Sequence, residues 1–169
     1  MLLCKPERYI EQVVNDLTAS SYVSLDIERK VLSMDVALLK QSFEMVAPQK
    51  EAFAHSFYQR LFSYYPQTQQ LFAKTDMKRQ EGSLVATLAM VIAGVERGDN
   101  LTPALQALGG KHVRYGAEAD YYPLVGGVLL ETLEEYLGPN FTPEVQEVWS
   151  QAYEVISTQM LEGARQQIA

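Results

Sequence analysis

Only two histidines occur in these 169 residues, His55 and His112, so any chemistry that depends on imidazole rests on two positions. His112 follows Leu105 and Leu108 at helical spacing, which turns it toward a core rather than toward water. An imidazole buried there needs partners for its nitrogens. Spacing alone leaves two readings open. His112 is either a core histidine tied by hydrogen bonds or a metal ligand. Haem iron is a good match for the latter, with the second ring nitrogen donating to a backbone carbonyl or a polar side chain. His55 reads as an exposed helical residue. Other chemistries fail on inventory: there is no Glu-x-x-His for a carboxylate di-iron bundle, no Cys/His cluster for zinc, no glycine-rich phosphate loop and no serine nucleophile elbow. No residue is assigned a catalytic role.

The elements that must position His112 are helices, because apolar residues recur at helical spacing almost throughout and strand-like alternation is scarce. A first helix is predicted over Asp35 to Val46, with Leu39, Phe43 and Val46 inward; Pro48 ends it and can open the next. That helix turns Phe53, Phe57 and Leu61 inward and stops near Tyr65-Pro66, and a short helical turn runs on to Phe72. A long helix over Lys78 to Glu96 buries Leu84, Leu88, Val91 and Val95 before Gly98-Asp99-Asn100. Thr102-Pro103 and Thr142-Pro143 each pair a capping hydroxyl with a proline suited to the first helical position. The first is predicted to open the helix carrying His112, closed by Gly116. The second opens one carrying Val145, Val148, Trp149, Ala152, Ile156 and Met160. Between them a helix spans Tyr121 to Leu137.

Length, charge and composition bound what such a bundle can do. The length suits one domain with a buried core and leaves little room for a second catalytic domain, so any reductase is expected to be borrowed. A net charge of -7 makes nucleic acid and anionic membrane surfaces poor partners. No apolar run is long enough to span a bilayer, and the charge that follows the opening Met-Leu-Leu-Cys argues against a signal peptide. One cysteine, Cys4, makes no internal disulfide, which favours a reducing, cytoplasmic setting. Residues 1–34 differ from the rest, with Ile10, Val13, Val14 and Leu17 at helical spacing, a break at Ala19-Ser20-Ser21 and a charged Asp26 to Lys30 stretch. They read as a helical N-terminal extension that packs on the domain or on a second copy in a homodimer, ahead of a domain over 35–169.

From about Val36 to Met160 the sequence resembles the bacterial single-domain globins and the globin domain of flavohaemoglobins. The resemblance is carried by Phe57-Tyr58-Gln59-Arg60-Leu61-Phe62, by Tyr65-Pro66 through Leu71-Phe72, and by Leu108-Gly109-Gly110-Lys111-His112-Val113-Arg114-Tyr115-Gly116. It continues through Tyr122-Pro123-Leu124-Val125-Gly126, Leu129 to Leu133, Phe141 to Val145 and Trp149, so that it covers about three quarters of the chain in order.

The resemblance implies an all-α globin fold, a three-over-three helical sandwich, holding haem b (iron protoporphyrin IX). By that likeness His112 is the proximal iron ligand, Tyr58 and Gln80 are the distal polar pair, and Leu84 is the apolar wall of the ligand pocket. Phe72 would pack on the porphyrin, Phe57, Val125 and Leu129 would line the crevice, and Lys111 would meet a propionate. Tyr122 matches the tyrosine that flavohaemoglobin-type globins set beside the proximal histidine. The accompanying glutamate of the final helix has no match: counting lands on Ala164, and Glu162 lies on a different face. The implied function is high-affinity, slowly released oxygen binding for storage or transport, with carbon monoxide and nitric oxide as further ligands. Nitric oxide dioxygenation with an external reductase, or gas sensing, are the alternatives.

Overall fold

The computed structural model describes residues 25–168, and the chain divides into two compact units, Met1–Ser33 and Met34–Ala169. In the first unit residues 25–33 are helical, with Asp26 and Lys30 paired at 3.1 Å one turn apart and Leu25 and Leu32 exposed. The Ile10 to Leu17 pattern and Cys4 lie outside the described residues.

The second unit contains six α-helices: α1 (Val36–Val46), α2 (Lys50–Tyr64), α3 (Met77–Arg97), α4 (Thr102–Arg114), α5 (Tyr121–Leu137) and α6 (Pro143–Ile168). Short 3₁₀ turns at Ala47–Gln49, Pro66–Phe72 and Gly138–Asn140 join some of them. Local chemistry accounts for most boundaries. The Asp35 carboxylate accepts from the Leu38 amide at 2.9 Å and so caps α1, and Asp76 caps α3 through the Arg79 amide at 3.2 Å. Gly98 ends α3 in the left-handed conformation at φ 72°, which glycine adopts without steric cost. Thr142 caps α6 as its sequence suggests, its hydroxyl accepting from the Val145 amide.

Thr102 does not act as its sequence suggests. It is already the first residue of α4, its hydroxyl caps nothing, and the Asn100 side chain accepts from the Thr102 amide at 3.1 Å instead. The helix therefore starts one residue earlier than a Thr102 cap would place it.

The helices form two layers of three. In one, α1 packs on α3, and α4 completes the layer; in the other, α2 packs on α5, and α5 on α6. The layers meet through α1 on α6, α2 on α3 and, most extensively, α4 on α6. Glycines permit that last approach. A Cβ on Gly109 of α4 would collide with the backbone carbonyl of Met160, and a Cβ on Gly163 of α6 would collide with that of Gln106. Around this crossing lies an apolar cluster of Val91, Leu105, Tyr122 and Met160, edged by Leu108 and Ile156. Elsewhere Trp149 is buried with its indole N–H donating to Ser42 Oγ at 2.9 Å, so the polar atoms of that core pair are satisfied.

Candidate functional site

His112 stands on the last turn of α4, above the apolar cluster that Leu105 and Leu108 enter from the same helix. Its Nδ1 lies 2.9 Å from the Leu108 backbone oxygen. A carbonyl oxygen only accepts, so Nδ1 carries the hydrogen and donates it. Burial lowers the His112 pKa, opposed by that backbone bond, so the ring is neutral at pH 7. The lone pair is therefore on Nε2, which has no hydrogen-bond partner among the described residues. An imidazole with one nitrogen tied and the other offering a lone pair is the form that ligates iron.

The distal candidates lie on α2 and α3. Tyr58 is buried at 5% exposure, and the Gln80 amide nitrogen donates to its hydroxyl oxygen at 2.9 Å. The direction matters, because a hydroxyl whose oxygen is already accepting keeps its own hydrogen to give. Burial raises the Tyr58 pKa, with the Gln80 bond opposing and the Glu81 charge adding to the rise, so the group stays a neutral donor. The likeness makes Tyr58 and Gln80 the distal polar pair; here one Gln80 amide hydrogen is given to Tyr58. Phe57, Phe62 and Phe72 surround the phenol, with ring centroids 5.0, 5.9 and 5.5 Å from it. These rings cover the phenol.

Other candidates are placed unevenly. Phe57 and Leu129 are buried, whereas Phe72, Leu84 and Val125 are half-buried and Lys111 is exposed. Tyr122 is buried with its ring centroid 6.5 Å from that of His112. Among the described residues no hydrogen bond or ring contact joins His112 to Tyr58 or Gln80. The two groups approach through the 3₁₀ turn ending at Phe72, whose Leu71 would sit 3.4 Å from a Cβ on Gly116 at the end of the His112 helix. Among the described residues no carboxylate is hydrogen-bonded to His112 or Tyr122, and the Glu162 carboxylate accepts from Arg165.

Sequence reasoning missed Tyr153. Its hydroxyl donates to the Tyr122 backbone oxygen at 2.6 Å, and its ring fills the space that Gly126 leaves on α5. It thereby fixes the start of the helix that carries Tyr122. The one signal was Gly126, one turn after Tyr122, where a side chain would strike the neighbouring helix. The bond between His55 and Glu81 was also missed; their atoms lie 2.9 Å apart.

A neutral imidazole on α4 and a phenol–amide pair that joins α2 to α3, set among stacked helices, define a class: an all-helical protein whose donor set suits a flat, iron-bearing cofactor. A family model for globins matches residues 55–160, and the chain belongs to the globin family. Haem binding goes with that membership. The chain is similar to the flavohemoprotein of Bacillus subtilis, 27% identical over 124 residues (72% of this chain, 31% of that protein). It is likewise similar to that of Vibrio cholerae, 31% identical over 120 residues (70% and 30%). It spans less than a third of the length of these relatives. Among solved structures it matches a bacterial globin from Campylobacter jejuni with TM-score 0.68 at 21% identity, covering 79% of this chain and 96% of that one. It also matches an engineered carbene transferase built on a candidate nitric oxide dioxygenase of Rhodothermus marinus, with TM-score 0.66 at 28% identity, covering 78% and 91%.

Proposed function

We propose that this globin holds haem b between His112 and the Tyr58–Gln80 pair and takes up oxygen reversibly, with high affinity and slow release. Haem, when bound, supplies an iron at which oxygen and other diatomic gases are held. The chain's own residues do the rest. His112 would hold the haem iron through Nε2 and is kept in one orientation by its bond to the Leu108 carbonyl. Tyr58 keeps a hydroxyl hydrogen that it would give to a bound gas. Gln80 holds the phenol in place and strengthens it as a donor, because a hydroxyl that accepts one hydrogen bond is polarised toward giving another. Phe57, Phe72 and Leu84 provide apolar walls, Val125 and Leu129 the far lining, Lys111 a charge for a propionate, and Tyr122 support beside His112. The N-terminal extension read from the sequence over residues 1–34 is a candidate contact in a homodimer.

The observation that carries the reading is the direction of the Gln80–Tyr58 bond, which leaves a buried donor hydrogen unspent. Hydrogen bonds involving charged or strongly polarised groups are worth about 1.5–3 kcal/mol, or roughly tenfold to hundredfold in a dissociation rate. Tyr58→Phe is therefore expected to speed oxygen release by at least several-fold in stopped-flow measurements. An unchanged rate would remove Tyr58 from the role.

Similarity to the candidate nitric oxide dioxygenase of Rhodothermus marinus favours a second reading, nitric oxide dioxygenation in which a separate reductase returns the electrons. Sustained removal of nitric oxide under oxygen with an added reductase and its electron donor supports it. A single stoichiometric reaction that does not repeat leaves oxygen binding as the function.

A further inference from the structure

Two side-chain hydrogen bonds join α2 to α3 among the described residues. The inner one is Gln80 Nε2 to Tyr58 Oη, and the outer one is His55 Nδ1 with Glu81 Oε1, each at 2.9 Å. Their partners are neighbours on both helices. His55 lies three positions before Tyr58, a spacing that puts both on one face of α2, and Glu81 directly follows Gln80 on α3. The Glu81 side chain is largely covered at 18% exposure, whereas His55, at 58%, lies over it from the solvent side. The Glu81 charge also reaches Tyr58, where it disfavours ionisation of the phenol.

We propose that His55 is a positioning residue for the distal pair: by engaging the Glu81 carboxylate it fixes the first turns of α3 against α2, so that Gln80 meets the Tyr58 oxygen and not some other acceptor. A neutral imidazole with its hydrogen on Nδ1 suffices, so the link needs no protonated histidine. Without it, two things change. The start of α3, preceded by exposed Ala73 to Asp76, keeps only the Gln80 bond to α2. The Glu81 carboxylate, a stronger acceptor than a phenol oxygen, is released beside Gln80 and Tyr58 and competes for their hydrogens. Tyr58 then spends part of its time pointing elsewhere. This inference rests on the oxygen-binding reading above, but its structural half does not need the cofactor.

The test uses His55→Ala, an exposed substitution that spares the core, and His55→Gln, whose amide can still donate to Glu81. In the haem-loaded protein, His55→Ala is expected to speed oxygen release about three- to tenfold and to add a second carbon–oxygen stretching band to the carbon monoxide complex. His55→Gln should restore both to wild type, and in a Tyr58→Phe background His55→Ala should change neither. In protein stripped of cofactor, amide exchange at Gln80 to Ser83 should be faster in His55→Ala and recover in His55→Gln. An alanine variant that matches wild type in release rate and stretching band overturns the proposal, and so does a glutamine variant as impaired as alanine. Should the wild-type protein take up no haem at all, the oxygen reading falls, and unchanged amide exchange would then overturn the positioning role separately.

Discussion

Tyr58 has a hydrogen to give because Gln80 has already satisfied its oxygen, and that single direction of donation organises the distal side. Gln80→Leu removes the donor while keeping an apolar side chain of similar length. It should speed oxygen release less than Tyr58→Phe does, since it weakens and unfixes the phenol without deleting it. A larger effect than Tyr58→Phe would mean that Gln80 itself faces the ligand. Tyr58 stood out in the sequence because it sits in a motif, and Gln80 because the likeness pairs it with Tyr58, but their mutual bond was not legible. Spacing tells which helical face a residue occupies, whereas which of two polar groups donates depends on how two helices cross. The buried phenols make a further prediction. Tyr58, Tyr122 and Tyr153 all have pKa values raised chiefly by burial. A folded-state value above the unfolded one, about 10, contributes stability that is present below that pH and lost as pH climbs through the folded values. Alkaline titration should show a late fraction of phenolate absorbance that appears together with loss of helical circular dichroism. Ionisation of every tyrosine near pH 10 with the helices intact would contradict the burial of these three.

At the level of elements, the α4–α6 crossing sets where His112 stands. Gly109 and Gly163 let each helix rest on the other's backbone carbonyls, so any side chain there must push α4 away. Overpacking costs about 1–3 kcal/mol when side chains can shift, and a carbonyl of a packed helix can shift little, so Gly163→Ala should fall at or above the upper end of that range. Denaturant unfolding measures it, and a change under about 0.5 kcal/mol, the size usual for an ordinary surface substitution, would show that the helices stand further apart than described. Gly82, where a Cβ would meet nothing within 4 Å, is the control, and its alanine variant should be neutral or stabilising. Helix positions and most ends were readable from proline, glycine and capping residues. The Thr102 cap was misread because two polar residues compete to cap one helix start, and their order in space is settled by the turn after Gly98. The glycine crossing was unreadable for a different reason: Gly109-Gly110 announces a close approach but cannot name a partner as far along the chain as Met160 or Gly163.

For the whole molecule, the central claim is that one imidazole and one phenol–amide pair, carried by a globin fold, clasp a single haem. No helix among the described residues is long and apolar enough to cross a membrane, and no cluster of acidic, histidine or cysteine side chains there competes as a metal site. The most direct measurement is a titration of the purified protein with haemin, followed by reduction and exposure to carbon monoxide, carried out on wild type and on His112→Gly. The expected result for wild type is a one-to-one complex with an intense Soret band and a stable carbon monoxide adduct. For His112→Gly it is haem that is lost readily and a changed axial coordination that added imidazole restores. A folded His112→Gly protein with wild-type spectra and affinity would contradict the account.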